Sequence, residues 1–199
     1  MKVLCVGDSL TYGYDVELPH RWTFLVERRA PVQICNEGLC GDTTAGMALR
    51  MQRMPIKDYD AVFVMGGSND ILQDIPVAVI EAHMQQIMKQ VVAAGKPLLV
   101  GIPLQMKKES AYWGWQRLED VERHNRELYA YRQWLLAQCS RYQAVPIDFY
   151  RYLADREAQY HTSLYADGIH PNEAGYALMA EAAISCMSCL YKKARTTDL

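Results

Sequence analysis

The sequence predicts an α/β protein, a three-layer α/β/α sandwich around a five-stranded parallel sheet. Short apolar runs with β-branched residues recur along the chain, and segments with the apolar spacing of helices separate them. Such alternation favours parallel pairing, because right-handed crossovers place helices on both faces of the sheet. The 199 residues are enough for one domain of this kind, 1–199, and too few for two.

Five runs are expected to form the strands. Each is short and mostly apolar, which is typical of a strand buried on both faces of a parallel sheet. The predicted strands are Val3–Val6, Val32–Cys35, Asp60–Met65, Pro97–Ile102 and Val145–Asp148.

Most segments between the strands are expected to be helical, with loops at Asn36–Thr43 and Pro103–Gln116. Pro76 suits a first helical turn, where a missing N–H has no effect, and Gly95 suits a helix end. The predicted helices are Trp22–Arg29, Thr43 to about Met54, Asp74 or Ile75 to Gly95, Leu118–Cys139, part of Tyr150–Ala166, and Asn172–Leu190.

Composition narrows the classes of function. A net charge of −2 argues against nucleic acid or an anionic membrane as the main partner. No apolar run approaches the roughly 20 residues that span a bilayer, so no stable membrane insertion is expected. The first apolar run stops at Gly7, too early for a signal peptide, and the six cysteines are expected to be reduced. These features predict a cytoplasmic protein.

Two features near the C-terminus are expected to play no chemical role. The basic stretch Lys192–Arg195 is expected to be a solvated end of the chain. Cys186 and Cys189 form a CxxC pair within a late helix rather than after an early strand, which favours packing over redox chemistry.

Four polar clusters each follow a predicted strand. They contain Ser9, Gly41, Asn69 and the pair Asp167 and His170. Because the carboxyl ends of parallel strands lie along one edge of the sheet, the four clusters are expected to meet in one crevice. The simpler alternative is that each is a capping loop, with Asp8 and Ser9 serving only to cap the next helix.

These residue types together suit ester hydrolysis. A serine hydroxyl needs a base to take its proton, and a histidine oriented by a carboxylate is such a base. Asp167 and His170 are three residues apart, with Gly168 allowing a tight turn between them. Backbone N–H groups of Ser9 and Gly41 and the Asn69 amide are donors suited to a developing oxyanion.

The clusters resemble the four sequence blocks of the GDSL, or SGNH, hydrolases. The blocks stand in the family's order as Gly7-Asp8-Ser9-Leu10, Asn36-x-Gly38-x-x-Gly41-Asp42-Thr43, Gly67-x-Asn69-Asp70 and Asp167-x-x-His170-Pro171. They span nearly the whole chain.

The resemblance implies the SGNH hydrolase fold, with a flavodoxin-like sheet, and an esterase or lipase mechanism through an acyl-enzyme. By position, Ser9 would be the nucleophile, His170 the general base and Asp167 its orienting carboxylate. Ser9, Gly41 and Asn69 would form the oxyanion hole. The family covers short-chain esters, lysophospholipids, acyl thioesters and acetylated sugars.

Aromatic residues near these clusters are candidate substrate-binding residues. Rings make good walls for a small acyl or aryl group, so short-chain esters are the expected substrates. The alternatives are that the rings only pack their loop onto the domain, or that Gly114 lets them move as a lid. The candidates are Tyr12, Tyr14, Tyr112, Trp113 and Trp115.

Other interpretations remain open. Gly66-Gly67-Ser68 approaches a nucleophile elbow, which would make Ser68 the nucleophile. Ser9, Thr11 and Gly13 could instead line the phosphate loop of a flavin- or nucleotide-binding module. Asp120 and His124 have metal-ligand spacing but lack a third ligand, so no metal is expected. No cofactor is expected either. The sequence leaves a homo-oligomer possible.

Overall fold

Five parallel strands form one sheet in the order β2-β1-β3-β4-β5 in the computed structural model, which describes residues 1–196 and side chains through residue 188. The Lys192–Arg195 side chains and the Cys189 side chain lie outside the described part. The strands are β1 (Lys2–Gly7), β2 (Gln33–Gly38), β3 (Ala61–Met65), β4 (Leu98–Gly101) and β5 (Val145–Ile147).

Helices connect the strands and cover both faces of the sheet. They are α1 (Ser9–Tyr12), α2 (Trp22–Arg29), α3 (Thr44–Met51), α4 (Ser68–Leu72), α5 (Val77–Ala93), α6 (Glu109–Tyr112), α7 (Val121–Tyr142), α8 (Phe149–Tyr160) and α9 (Glu173–Thr196).

Two apolar cores lie on opposite faces of the sheet. Alternate side chains of β3 divide between them, since Val64 belongs to the core beneath α3, α5 and α7 and Phe63 to the core beneath α2, α8 and α9. In the second core, the Trp22 ring packs against Phe63 and Phe149 at centroid distances of 5.2 and 5.8 Å. The predicted three-layer α/β/α sandwich is therefore confirmed.

The register of the central strands sets the level of the loops that follow them. Gly7 of β1 pairs with Gly38 of β2 and with Met65 of β3. The three strands end side by side, so the segments that carry Ser9, Gly41 and Asn69 leave the sheet at one level. This is the edge that the sequence predicted for the polar clusters.

The structure differs from the sequence predictions in its short elements. Helices α4 and α6, of five and four residues, fall where no helix or only a loop was predicted. Strand β2 continues to Gly38, because Asn36 and Glu37 still pair with Cys5 and Val6 of β1. Such a half-exposed edge strand tolerates polar residues that apolar patterning excludes.

Within residues 1–196, no helix combines the length and the apolar character needed to cross a bilayer.

Candidate active site

Ser9 lies at the point where β1 passes into α1. Asp8 caps this helix through its Oδ1, which accepts the Leu10 N–H at 2.9 Å. Ser9 is the first helical residue and is 7% exposed. The capping interpretation of Asp8 and the placement of Ser9 at the sheet edge therefore both hold.

Asp167 and His170 lie in a tight turn after α8. An antiparallel bridge between Tyr165 and Pro171 closes the turn, and the Ala166 N–H donates to the His170 carbonyl at 2.8 Å. Gly168 has φ of 86° and lies against the backbone of Ser110, where a Cβ would approach Ser110 N to 2.3 Å. Glycine is therefore required at this position.

The turn directs the Asp167 carboxylate at the imidazole of His170. Oδ2 lies 2.7 Å from His170 Nδ1, and Oδ1 accepts the N–H groups of Ile169 and His170 at 2.9 and 2.7 Å. Burial alone would raise the pKa of the Asp167 carboxyl, but the hydrogen bonds from His170 and the two backbone donors outweigh it and hold the pKa below its ordinary value. Asp167 therefore favours the carboxylate form.

Ser9 and His170 meet across the crevice, although they are 161 residues apart in the chain. Ser9 Oγ lies 2.9 Å from His170 Nε2, in a buried setting. Ser68, the alternative nucleophile, is the first residue of α4 and is equally buried, but the histidine ring bonds to Ser9. With the proton on Nδ1 facing Asp167, Nε2 is free to accept the serine proton.

Gly41 and Asn69 lie beside Ser9, Gly41 on the loop after β2 and Asn69 on α4 after β3. Gly41 has φ of 79°, and a Cβ there would meet nothing within 4 Å, so its backbone borders open space. Asn69 Nδ2 donates to the Asp42 carbonyl at 2.9 Å. That bond uses one amide hydrogen and leaves the second for another acceptor.

Arg50 holds the loop that contains Gly41. Its guanidinium lies 2.7 Å from Asp42 Oδ2 and also donates to the carbonyls of Gly7 and Glu37. One side chain thus joins the ends of β1 and β2 to the residue that bonds Asn69. Sequence patterning gave no signal for Arg50, because it lies on a helix face with no catalytic motif.

A cavity of about 250 Å³ opens in front of Ser9. Its polar lining contains the candidate catalytic and oxyanion groups, and its apolar lining contains two aromatic and two aliphatic side chains. The lining residues are Ser9, Tyr14, Cys40, Gly41, Asn69, Leu72, Trp115, Ile169 and His170.

Only two of the five candidate substrate-binding aromatic residues line this cavity. Tyr14 and Trp115 pack on the His170 ring at centroid distances of 4.4 and 5.3 Å. Tyr12 instead lies under the Arg21 guanidinium, at 4.1 Å. Tyr112 and Trp113 are 77% and 67% exposed and are not among the lining residues in the described part of the chain.

Sequence reasoning missed three lining residues, Cys40, Leu72 and Ile169. Cys40 and Ile169 are the immediate neighbours of Gly41 and His170, so adjacency to the motifs could have found them. Leu72 follows Asn69 by three residues on α4 and therefore lies on the same helix face. Its role was not visible because α4 is too short to show a periodic pattern.

The predicted absence of a metal rested on Asp120 and His124. Asp120 pairs with Arg123 at 2.8 Å, and His124 contacts Gln116 and Asp74. Within the described residues, no group of three or more histidine, cysteine, aspartate or glutamate side chains is arranged to hold a metal ion.

Asp8 is a buried carboxyl next to Ser9. Its Oδ2 has no hydrogen-bond partner among the described residues. Burial raises its pKa from 3.8 to about 7, although the bond from Leu10 N–H and the proximity of His170 act in the opposite direction. Because the folded state disfavours the charged form, Asp8 stabilises the fold below about pH 4, and this contribution is lost as the pH rises through about 7.

We therefore expect Asp8→Asn to stabilise the protein at alkaline pH relative to the unmodified chain. Asparagine keeps the oxygen that caps α1 and cannot ionise. Three pKa units correspond to about 4 kcal/mol, so the difference in unfolding free energy should grow by that order between about pH 4 and pH 8. Urea unfolding at both pH values measures it.

Asp58→Asn is the matched control, because Asp58 is exposed. Measuring both variants separates the effect of losing a buried carboxyl from the effect of losing an exposed one. If the difference in unfolding free energy between Asp8→Asn and the unmodified protein stayed constant from about pH 4 to pH 8, Asp8 would be charged in the folded protein throughout this range.

Several solved structures with a similar fold are lipolytic or esterase proteins. A member of the lipolytic G-D-S-L family from Veillonella parvula is 24% identical, with a TM-score of 0.83 over 94% of this chain and 98% of that chain. A catalytic variant of Axe2, an acetylxylan esterase from Geobacillus stearothermophilus, is 17% identical, with a TM-score of 0.75 over 92% of each chain. These similarities concern the fold.

The sequence comparisons identify the family. The model of the GDSL-like lipase/acylhydrolase family matches residues 5–178. The chain therefore belongs to this family, which confirms the resemblance drawn from the four sequence blocks. An arylesterase of Vibrio mimicus is 30% identical over 100 residues, 47% of this chain and 50% of that protein. The match thus spans about half the length of that relative.

Proposed function

We propose that this protein is a serine esterase that hydrolyses carboxylic esters with short acyl or aryl groups. The observation that carries the proposal is the buried chain of contacts from Ser9 Oγ through the His170 ring to Asp167 Oδ2, at 2.9 and 2.7 Å. A serine, a histidine and a carboxylate in this order are the groups that acyl transfer requires. Membership of the GDSL-like lipase/acylhydrolase family supports the same class of reaction.

In the first half of the reaction, Ser9 Oγ attacks the ester carbonyl carbon while His170 Nε2 takes the hydroxyl proton. The Asp167 carboxylate faces Nδ1 and stabilises the imidazolium that results. Collapse of the tetrahedral intermediate breaks the bond to the alcohol oxygen, and the imidazolium returns its proton to that oxygen. The acyl group is then bound to Ser9.

In the second half, a water molecule replaces the alcohol. His170 takes a proton from this water as it attacks the acyl carbon, and then protonates Ser9 Oγ as it leaves. The negative oxygen of both intermediates is stabilised by the N–H groups of Ser9 and Gly41 and by the free Asn69 amide hydrogen. The open space next to Gly41 supports this arrangement, because it leaves room for a bound ester beside the Gly41 backbone.

The size and lining of the cavity favour a short acyl group. Its volume of about 250 Å³ lies below the range of roughly 300–1,000 Å³ usual for ligand pockets. Tyr14, Trp115 and Leu72 provide an apolar boundary close to Ser9. A lysophospholipase, an acyl thioesterase and a carbohydrate acetylesterase of the same family are the alternatives. The acetylesterase transfers a two-carbon acyl group, which a cavity of this size admits.

A flavin- or nucleotide-binding module is the alternative from another class. The hydroxyls of Ser9 and Thr11 would then have to donate hydrogen bonds to a phosphate group. In the structure, Ser9 Oγ is engaged by His170, and Thr11 is fully buried rather than open to a ligand. Both observations favour the esterase. The purified protein should therefore be colourless, whereas a flavoprotein would be yellow.

An acyl-length series of aryl esters tests the proposed substrate. Each methylene that enters an open apolar groove adds about 0.8 kcal/mol, or roughly fourfold in kcat/KM, so an open groove gives a steady rise. In this protein we expect kcat/KM to peak between acetyl and roughly hexanoyl esters and then to fall. Lysophospholipid and acetylated sugar should be assayed beside the series.

Leu72→Ala should move this optimum towards longer chains, since it removes an apolar boundary of the cavity. Leu118→Ala is the matched control, because Leu118 is 52% exposed and lies outside the cavity. Highest activity on long acyl chains in the unmodified protein, or an optimum that Leu72→Ala leaves unmoved, would contradict the proposed substrate size.

A further inference from the structure

The Asp167 carboxylate receives a donor that the sequence did not predict. Trp115 Nε1 donates to Asp167 Oδ2 at 2.8 Å, and this is the oxygen that faces His170 Nδ1. Asp167 is 4% exposed, so water has little access to replace a lost donor. The indole N–H therefore has a defined partner within the buried carboxylate–imidazole pair.

The segment that carries Trp115 is fixed to the turn that carries Asp167. Trp115 N–H donates to the Ser110 carbonyl at 3.0 Å, which bends the chain after α6 and turns the indole inwards. The Gln116 amide bridges Ser110 Oγ and the His124 ring at 2.7 and 2.5 Å. Ser110 in turn lies directly against Gly168. These contacts hold the indole in place without a substrate.

The indole ring also touches the imidazole that the carboxylate orients. The two rings meet edge to face at a centroid distance of 5.3 Å, while Tyr14 packs on His170 at 4.4 Å. Trp115 is 40% exposed and borders the cavity. A single side chain thus contacts the cavity, the imidazole and the carboxylate.

We infer that Trp115 is a positioning residue, whose indole N–H fixes the Asp167 carboxylate and thereby the orientation of His170 towards Ser9. This inference rests on the proposed function. Without the N–H, Asp167 Oδ2 keeps a single donor, the His170 ring, while Oδ1 stays bonded to the backbone N–H groups of Ile169 and His170. The Oδ2 end of the carboxylate is then less restrained, and the imidazole loses part of the support that aligns Nε2 with Ser9 Oγ. If Trp115 served only as an aromatic boundary of the cavity, its indole nitrogen would not be needed.

Trp115→Phe tests the inference, because phenylalanine keeps an aromatic ring and removes the N–H. The loss of the hydrogen bond from the indole N–H to the charged Asp167 carboxylate should lower kcat by about tenfold to a hundredfold. The KM of a short-chain ester should change little, because the aromatic wall remains. Trp113→Phe is the matched control, since Trp113 is 67% exposed and its indole has no hydrogen bond within the described residues. Its kcat should stay at the unmodified level.

Proton NMR without substrate provides the second readout. The His170 Nδ1–H proton, shared with Asp167, should give a low-field resonance that is present in Trp113→Phe and shifted or broadened in Trp115→Phe. An unchanged resonance, or a kcat for Trp115→Phe equal to that of Trp113→Phe, would overturn the inference. Failure of the unmodified protein to hydrolyse any ester would count against the proposed function. The comparison of the His170 Nδ1–H resonance between the two variants would still test whether Trp115 positions Asp167.

Discussion

Replacing Ser9 with alanine is expected to lower kcat by on the order of 10⁴-fold or more while leaving the fold intact. Ser9 Oγ would form the covalent bond to the acyl group, and among the described side chains no other hydroxyl bonds to the His170 ring. Because nucleophile, base and carboxylate act as a unit, losing one of them removes most of the rate enhancement. Steady-state kinetics on an aryl acetate, with circular dichroism to verify folding, measures the effect.

Ser68→Ala is the matched control for this experiment. Ser68 is 5% exposed against 7% for Ser9, and each is the first residue of a short helix that follows a strand. The two substitutions therefore disturb similar surroundings. Ser68→Ala should cost far less activity, and an inactive Ser68→Ala variant beside an active Ser9→Ala variant would reverse the assignment of the nucleophile.

Replacing Asn69 with alanine is expected to lower kcat by about 10²–10³-fold and to change KM little. The amide would donate to an oxygen that becomes negative only as the reaction proceeds, so its loss affects the transition state more than the bound ester. Measurement of kcat and KM on the preferred aryl ester separates the two effects.

Asn69 also has a structural bond, to the Asp42 carbonyl at 2.9 Å. Thermal unfolding of the Asn69→Ala variant shows whether the loss of this bond also destabilises the fold. A variant that unfolds at an unchanged temperature and raises KM while keeping kcat would make Asn69 a substrate-binding residue and not an oxyanion donor.

The sheet and the convergence of the polar clusters could be predicted because they follow from local rules. Buried parallel strands have near-continuous apolar runs, and the carboxyl ends of parallel strands share one edge. The pairing of Gly7 with Gly38 and Met65 brings the strand ends level. Ser9, Gly41 and Asn69 therefore lie together as expected, although they are far apart in the chain.

The aromatic residues that line the cavity, Tyr14 and Trp115, could not be predicted in the same way. Tyr112, Trp113 and Trp115 are close in sequence, yet only Trp115 turns towards Ser9. The direction of each ring depends on the bend at Ser110 and on the contact of that residue with Gly168, 58 positions later in sequence. Contacts of this range leave no periodic signal in the segment itself.

The short helices escaped prediction for a related reason. Helix α4 has five residues, fewer than two turns, so its apolar spacing cannot be recognised. It nevertheless places Leu72 on the same face as Asn69 and so forms part of the cavity. Apolar periodicity reveals the elements that form the core more readily than the short turns that shape a site.

Labelling with an aryl fluorophosphonate tests the central claim most directly. An activated serine displaces fluoride and forms a stable phosphonate ester, so peptide mass spectrometry identifies the nucleophile without knowledge of the natural substrate. We predict that the label resides on Ser9, that labelling is lost in Ser9→Ala and slowed strongly in His170→Ala, and that it parallels the loss of esterase activity. A label on Ser68 or another residue, or full esterase activity in an unlabelled protein, would contradict the account.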